Sequence, residues 1–300
     1  MLAVYLLPLL AAILWSWSFV ATKVLVRHLS VVEIIGLRLV LAVPPMLALV
    51  LLRGLCPRLT GREGRTLLLG AGILLLHFLI QFTGLKYTTA THSGWLIAVA
   101  PISMAILARV FLGERIERAQ IAGMGIASCG IVLLVSGGDF SNLRWISNGG
   151  DWLVLASTFT WAGFTVTTRD LSRRHPPLGV TTLVLAVCGL ASLVAMTFTT
   201  DRRALLSLPS EAILAALFLA FLCTFAAFWA WQEGVARLGA SRAGFFLYCM
   251  PLATMALSVP YLKEPFGWGA AAGGALVLLG VVLAERGRGS GTSQSARADG

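Results

Sequence analysis

Long apolar runs alternate with short polar gaps along almost the whole chain. A helix needs about 20 predominantly apolar residues to cross the hydrocarbon core of a bilayer. Ten stretches fit that requirement, at roughly 5–25, 33–52, 66–85, 92–112, 120–137, 151–168, 178–198, 211–231, 243–262 and 267–284. The gaps between them are short and hold most of the charged residues. The stretch after Glu285 is rich in Gly, Ser and Arg, and reads as a disordered tail. The pattern predicts an all-α membrane protein with ten transmembrane helices.

The pattern also repeats. Residues 91–133 align without a gap on 241–283, 150 positions on. Gly94 falls on Gly244, Pro101 on Pro251, Leu112 on Leu262, Glu114 on Glu264, Gly123 on Gly273 and Gly130 on Gly280. At an offset of 146, Trp15 falls on Trp161, Val20 on Val166, Thr22 on Thr168, Lys23 on Arg169 and Leu25 on Leu171. Matches of Gly, Pro, Trp and Glu carry weight that matches of Leu or Ala do not. Each half holds five spans, and an odd number of crossings turns the second copy upside down. The expected layout is a first five-helix repeat over 1–137, an external connecting loop over 138–150, a second, inverted five-helix repeat over 151–285 and a disordered cytoplasmic tail over 286–300. Glu114 and Glu264 then mark opposite membrane faces. Inverted repeats of this kind are characteristic of secondary transporters, whose halves rock about a shared site.

Composition agrees. Hydrophobic residues make up 58% of the chain and charged residues 12%, against about 25% charged in a soluble domain. The net charge of +10 does not point to nucleic acid, because the basic residues sit in gaps where topology signals lie. With the N-terminus inside, internal loops and tail carry about twice as many Lys and Arg as the external side, which places both termini in the cytoplasm. The five cysteines, Cys56, Cys129, Cys188, Cys223 and Cys249, lack the number and spacing of a disulfide framework. The N-terminus has no basic segment before its first apolar run, and reads as a membrane helix rather than a cleaved leader.

The Trp-Ser-x-Ser-Phe-x-x-x-Lys stretch at 15–23 resembles the start of drug/metabolite transporters of the EamA type. So does the run from Gly94 through Pro101 to Leu-Gly-Glu at 112–114, with its echo at 244–264. The resemblance covers residues 3–285, and its aromatic content is similar to that of YddG-type amino-acid exporters. It implies ten spans in a five-plus-five arrangement, transport of small metabolites and, on the exporter likeness, outward movement of amino acids.

Polar groups inside a membrane are costly and become functional candidates by default. No Asp or Glu lies near the middle of a span; Glu33, Asp151 and Glu211 stand at span starts. A carboxylate proton relay therefore has no evident member. His77 lies near the centre of the third span, with Gln81 one turn on and on the same face. Together they suit an amino or carboxylate group, and His77 can carry a proton with an unperturbed pKa near 6.5. The competing reading is a neutral histidine satisfied by a neighbouring helix. Trp17, Trp95, Trp161, Phe228, Trp229 and Tyr248 all lie within spans. They suit a cavity for a flat apolar solute or for a cation over a ring face; the alternative is plain helix packing. Trp95 and Tyr248 draw most attention, because they precede the paired prolines in repeat-equivalent spans. Pro101 and Pro251 each remove a backbone hydrogen bond and are candidate hinges, or else static kinks; Pro44-Pro45 reads as a static kink. Small residues at four-residue spacing, Ala119, Gly123 and Ala127 in one span and Gly269 and Gly273 in another, read as packing positions. Arg38, about five residues into its span, reads as structural, with its head reaching the interface.

The expectation is an inner-membrane secondary transporter working by alternating access on a small-molecule substrate. An amino acid is the first candidate, with an aromatic one favoured by the ring content. Another small solute, such as an organic cation or a nucleoside, is the alternative. An intramembrane enzyme is disfavoured, since a deep nucleophile with its base or a metal cluster is not evident. No cofactor, metal or nucleic-acid partner is implied. The lipid bilayer is the one macroscopic partner. The oligomeric state is open, and a monomer is compatible with the sequence.

Overall fold

The computed structural model describes residues 2–136, 148–199, 205, 207–262 and 268–286, and all regular structure among them is helical. In chain order the helices are α1 (Leu2–Leu25), α2 (Val31–Leu52), α3 (Gly61–Tyr87), α4 (Ala90–Leu96), α5 (Ala100–Leu112), α6 (Arg118–Ser136), α7 (Gly149–Arg174), α8 (Pro177–Thr199), α9 (Ser210–Leu217), α10 (Ala227–Leu238), α11 (Ala240–Phe245), α12 (Cys249–Leu262) and α13 (Trp268–Arg286). A π-helical segment, Phe218–Ala226, joins α9 to α10. Short 3₁₀ turns, Ile97–Val99 and Phe246–Tyr248, join α4 to α5 and α11 to α12. The expected tail lies outside the described residues beyond Arg286. So does most of the expected connecting loop, whose last residues, 148–150, cap and begin α7. Glu264 is likewise outside them.

Among the described residues, six helices are long and apolar enough to cross a membrane: Val4–Leu25, Val31–Leu52, Gly61–Tyr87, Ser93–Leu112, Pro177–Phe198 and Ser210–Leu238. Arg118–Leu133 and Ala272–Ala284 are shorter apolar helices. The 26-residue α7 is not among the six. It carries many Ser and Thr, and their hydroxyls donate to carbonyls of the preceding turn, as Ser157 does to Val154, Thr158 to Leu155 and Thr168 to Phe164. Its polarity is thus largely satisfied within the helix.

The acids at the span starts have a local role. Ser30 and Glu33, Thr60 and Glu63, and Asn148 and Asp151 form capping boxes at the first turns of α2, α3 and α7. Each satisfies orphan N–H groups that a helix end would otherwise leave bare. Asp151 also accepts a 2.5 Å hydrogen bond from Thr88 Oγ1 at the end of α3.

Helix packing follows the sequence repeat. The most extensive contacts are α6 with α13, α3 with α7, α2 with α8 and α1 with α10. Exchanging each helix for its counterpart in the other half turns α3–α7 into α10–α1 and leaves α6–α13 and α2–α8 as themselves. Gly123 and Gly280 set the α6–α13 approach. A Cβ on Gly123 would stand 2.5 Å from the Gly280 carbonyl oxygen, and one on Gly280 would stand 2.6 Å from the Gly123 carbonyl oxygen. The small residues therefore serve contact between the halves.

Glu114 does more than mark a face. Its Oε1 and Oε2 accept from the backbone N–H groups of Ala240 and Ser241, each at 3.2 Å. Oε1 also pairs with Arg169 Nη2 at 3.2 Å. The carboxylate thus ties the end of α5 to the start of α11 and the end of α7. Gly239, at φ +92°, supplies the turn that aims those amides, a conformation that L residues with a Cβ rarely adopt.

Candidate functional site

A small cavity lies between the halves. Four pairs at the repeat offsets line it: Trp15 and Trp161, 146 positions apart, and Phe78 and Phe228, Ile97 and Leu247, and Ala100 and Met250, each 150 apart, so that the second offset extends back into α3 and α10. The last two pairs come from the backbone around the 3₁₀ turns before Pro101 and Pro251. Trp15 on α1 and Trp161 on α7 meet edge to face, with ring centroids 4.8 Å apart at 78°. Phe228 on α10 packs 5.3 Å from Trp15 and 5.7 Å from Trp161. Edge-to-face contact sets the positive rim of one ring against the negative face of another, so these rings fix one another's orientation.

The π-helical segment holds one wall. Trp15 Nε1–H donates to the Cys223 carbonyl at 2.9 Å. Thr224 Oγ1 donates to the Leu219 carbonyl, five residues back, at 2.7 Å. That hydroxyl also accepts from Arg38 Nε at 2.8 Å. A wide helical turn of this kind re-aims backbone groups and recurs at functional sites.

Polar groups break the symmetry of the wall. His77 is buried, and its Nδ1 lies 2.9 Å from the Ser157 carbonyl oxygen of α7. A carbonyl only accepts, so Nδ1 carries the proton, and Nε2 of the neutral ring is left as an acceptor. A neighbouring helix thus holds one nitrogen while the ring lines the cavity. Gln81, one turn along α3, lines it too, as do Trp161 and Phe228. Trp161 Nε1–H is buried with no acceptor among the described residues.

The other named aromatics lie elsewhere. Trp17 is half-buried on α1, away from the cavity lining, and Trp95 is half-buried on α4. Tyr248 is fully buried in a separate cluster with α6 and α13, its hydroxyl 3.4 Å from Ser128 Oγ. Trp229 is 41% exposed on the outer surface. Pro101 and Pro251 sit in the first turns of α5 and α12, each just after its 3₁₀ turn.

Trp15 and Arg38 are among the lining residues that lie outside the sequence candidates. Trp15 had a readable signal, its repeat match to Trp161. Arg38 was expected to reach the interface; instead it is only 3% exposed and lines the cavity. Its guanidinium carbon lies 4.7 Å from the Phe78 ring centroid and 5.4 Å from that of Phe82. Nothing in the sequence separates a snorkelling Arg38 from a buried one, because the rings that cover it come from another helix.

Comparison with known proteins gives a consistent result. The EamA-like transporter family matches residues 2–136 and 148–285. A Salmonella typhimurium protein named "Probable amino-acid metabolite efflux pump" is 27% identical over 288 residues, covering 92% of this chain and 93% of its own. A Streptantibioticus cattleyicolor protein named "Probable terminal-alkyne amino-acid exporter" is 31% identical over 207 residues, covering 68% and 66%. An uncharacterized transporter of Archaeoglobus fulgidus is 27% identical, covering 93% and 96%. One protein crystal structure superposes with a TM-score of 0.76 at 22% identity, covering 94% of this chain and 98% of that one, a likeness of fold.

Proposed function

Because the chain belongs to the EamA-like transporter family, we propose that this multi-pass membrane protein is a secondary transporter that exports amino acids by alternating access. The carrying observation is the cavity wall of four repeat-equivalent pairs, with Trp15 touching its own counterpart Trp161. A site on the line that relates two copies is where rocking of the copies changes access from one side to the other. In this reading the repeats are 1–137 and 151–285, the second is inverted, and the ten spans are those of the hydropathy pattern. The segment 138–150 is external, and the tail over 286–300 and both termini are cytoplasmic, in the inner membrane. Pro101 and Pro251 act as hinges at matching points of the two halves.

The cargo reading draws on the wall chemistry and on the relatives. Trp15, Trp161 and Phe228 suit a flat or bulky apolar side chain, while His77 and Gln81 supply polar contacts for the backbone end of an amino acid. Two relatives bear names of amino-acid efflux or export, which is the ground for outward direction. An organic cation fits less well, since the described wall residues include a buried arginine and no carboxylate. Counterflow in proteoliposomes with a panel of amino acids, nucleosides and organic cations tests the reading. Exchange of apolar and aromatic amino acids is expected. If none of the amino acids exchanges or competes while another class does, the cargo assignment is wrong.

A further inference from the structure

We propose that Arg38 is the anchor for a carboxylate on the cargo, so that a free carboxylate is a requirement for recognition. The proposal rests on the cavity being the solute site and adds what that site demands. Arg38 is buried at 3% exposure, yet among the described residues it forms no ion pair, and its one hydrogen bond runs from Nε to Thr224 Oγ1. Among the described residues, no Asp or Glu lines the cavity. Phe78 and Phe82 face the guanidinium at 4.7 and 5.4 Å, and cation–π contact offsets part of the cost of burial. It does not replace an anion, and a buried charge without one is strongly disfavoured.

The bond through Nε fixes the plane of the guanidinium and leaves the two Nη groups uncommitted. Those groups form the planar fork that matches the two oxygens of a carboxylate. The charge count selects the class. Among the described residues Arg38 is the one Lys or Arg on the cavity wall, so it balances a monoanion, whereas a phosphate dianion would call for more than one cation. Apart from Ser18, His77 and Gln81, the rest of the wall is aromatic and aliphatic, which suits an apolar remainder. For an amino acid, Nε2 of neutral His77, the Gln81 carbonyl oxygen and Ser18 Oγ, whose proton goes to the Trp15 carbonyl, are acceptors suited to the ammonium group. An acid lacking the amino group keeps the Arg38 contact, and an amine lacking the acid loses it.

The test uses the purified full-length protein and two readouts: ligand-dependent thermal stabilisation for binding and counterflow in proteoliposomes for transport. The probes are L-phenylalanine and L-leucine, their amides, 3-phenylpropionate, phenethylamine and chloride. The wild type should bind the acids, 3-phenylpropionate included, roughly tenfold or more tightly than the amides or phenethylamine, as expected for loss of a charged hydrogen-bond pair. In Arg38→Gln the acids should fall to the level of the amides, and Arg38→Lys should keep part of the preference. Equal binding of acid and amide by the wild type would overturn the proposal. So would an acid preference that survives Arg38→Gln, chloride competing with the acids at equal concentration, or no stabilisation by any acid in the panel. The acid-to-amide comparison needs only the wild type, so it stands even if Arg38→Gln does not fold. Acid binding without counterflow would remove the transport reading and leave Arg38 assigned. Counterflow of phenethylamine or the amides alone would do the reverse.

Discussion

Trp15 and Trp17 stand two positions apart on α1, about 200° around the helix, and only Trp15 reaches the cavity. The first span therefore offered two tryptophans, and the repeat match to Trp161 distinguishes them where composition does not. The cavity rings also support one another. Trp161 contacts Trp15, Phe228, Trp231, Phe164 and His77. Trp161→Ala should cost about 3–5 kcal/mol, the range for truncating a core aromatic, seen as a lower melting temperature of the purified protein. Trp161→Phe keeps much of the ring contact and removes the unpartnered N–H; it should lose far less stability while still changing which solutes exchange. His77→Ala frees the Ser157 carbonyl of its partner and takes an acceptor from the cavity. Counterflow should drop by roughly tenfold or more in protein that still elutes as a folded species; full activity would return His77 to a packing role.

At the scale of elements, the small-residue spacing in α6 and α13 and the α6–α13 contact are two views of one feature. Gly123 and Gly280 have no room for a side chain, whereas Gly125, on another face of α6, has nothing within 4 Å of its would-be Cβ. Gly123→Leu should destabilise by at least about 2 kcal/mol through overpacking against backbone. Gly125→Ala should be neutral or stabilising by up to about 1 kcal/mol through helix propensity. Thermal unfolding of the two variants side by side checks the contrast. Glu114 makes a similar point: the repeat singled it out, but its role as a tie came from three partners on two other helices. Glu114→Gln should remove the ion pair and weaken the caps, costing about 1–2 kcal/mol. If Arg169→Gln causes the same loss, and the double variant no more than either single one, the pair acts as a unit.

At the scale of the whole molecule, the helix contacts exchange with the halves, and so do four pairs of cavity residues. The proposed motion can be tested at the matched breaks. Pro101→Ala and Pro251→Ala should each slow counterflow several-fold while changing solute binding by less than about twofold; equal losses in both would indicate a direct contact or misfolding instead. The inverted layout predicts that single cysteines at 113–117 react with a membrane-impermeant reagent from the same side as cysteines at 54–60. Cysteines at 26–30 and 88–89 should react from the other side. Labelling of both groups from one side would rule that crossing pattern out, and labelling of cysteines at 172–176 from the same side as those at 26–30, their counterparts at the offset of 146, would rule the inversion out.

The helical fold class, the sequence repeat and the family were legible in the sequence because each depends on local or periodic properties: hydropathy over about 20 residues, helix caps one turn long and conformationally demanding Gly and Pro at a fixed offset. The capping roles of Glu33, Glu63 and Asp151 are of this kind. What the tertiary structure decided is which face of each helix meets which neighbour. Trp15 rather than Trp17, the separate burial of Tyr248 and the withdrawal of Arg38 beneath Phe78 and Phe82 all depend on residues tens to hundreds of positions away. In a chain this apolar, hydropathy leaves helix rotation unspecified, because lipid and protein interior are nearly equivalent surroundings for Leu or Val. Packing of glycines and rings sets that rotation, and with it the place of the one buried charge on the cavity wall.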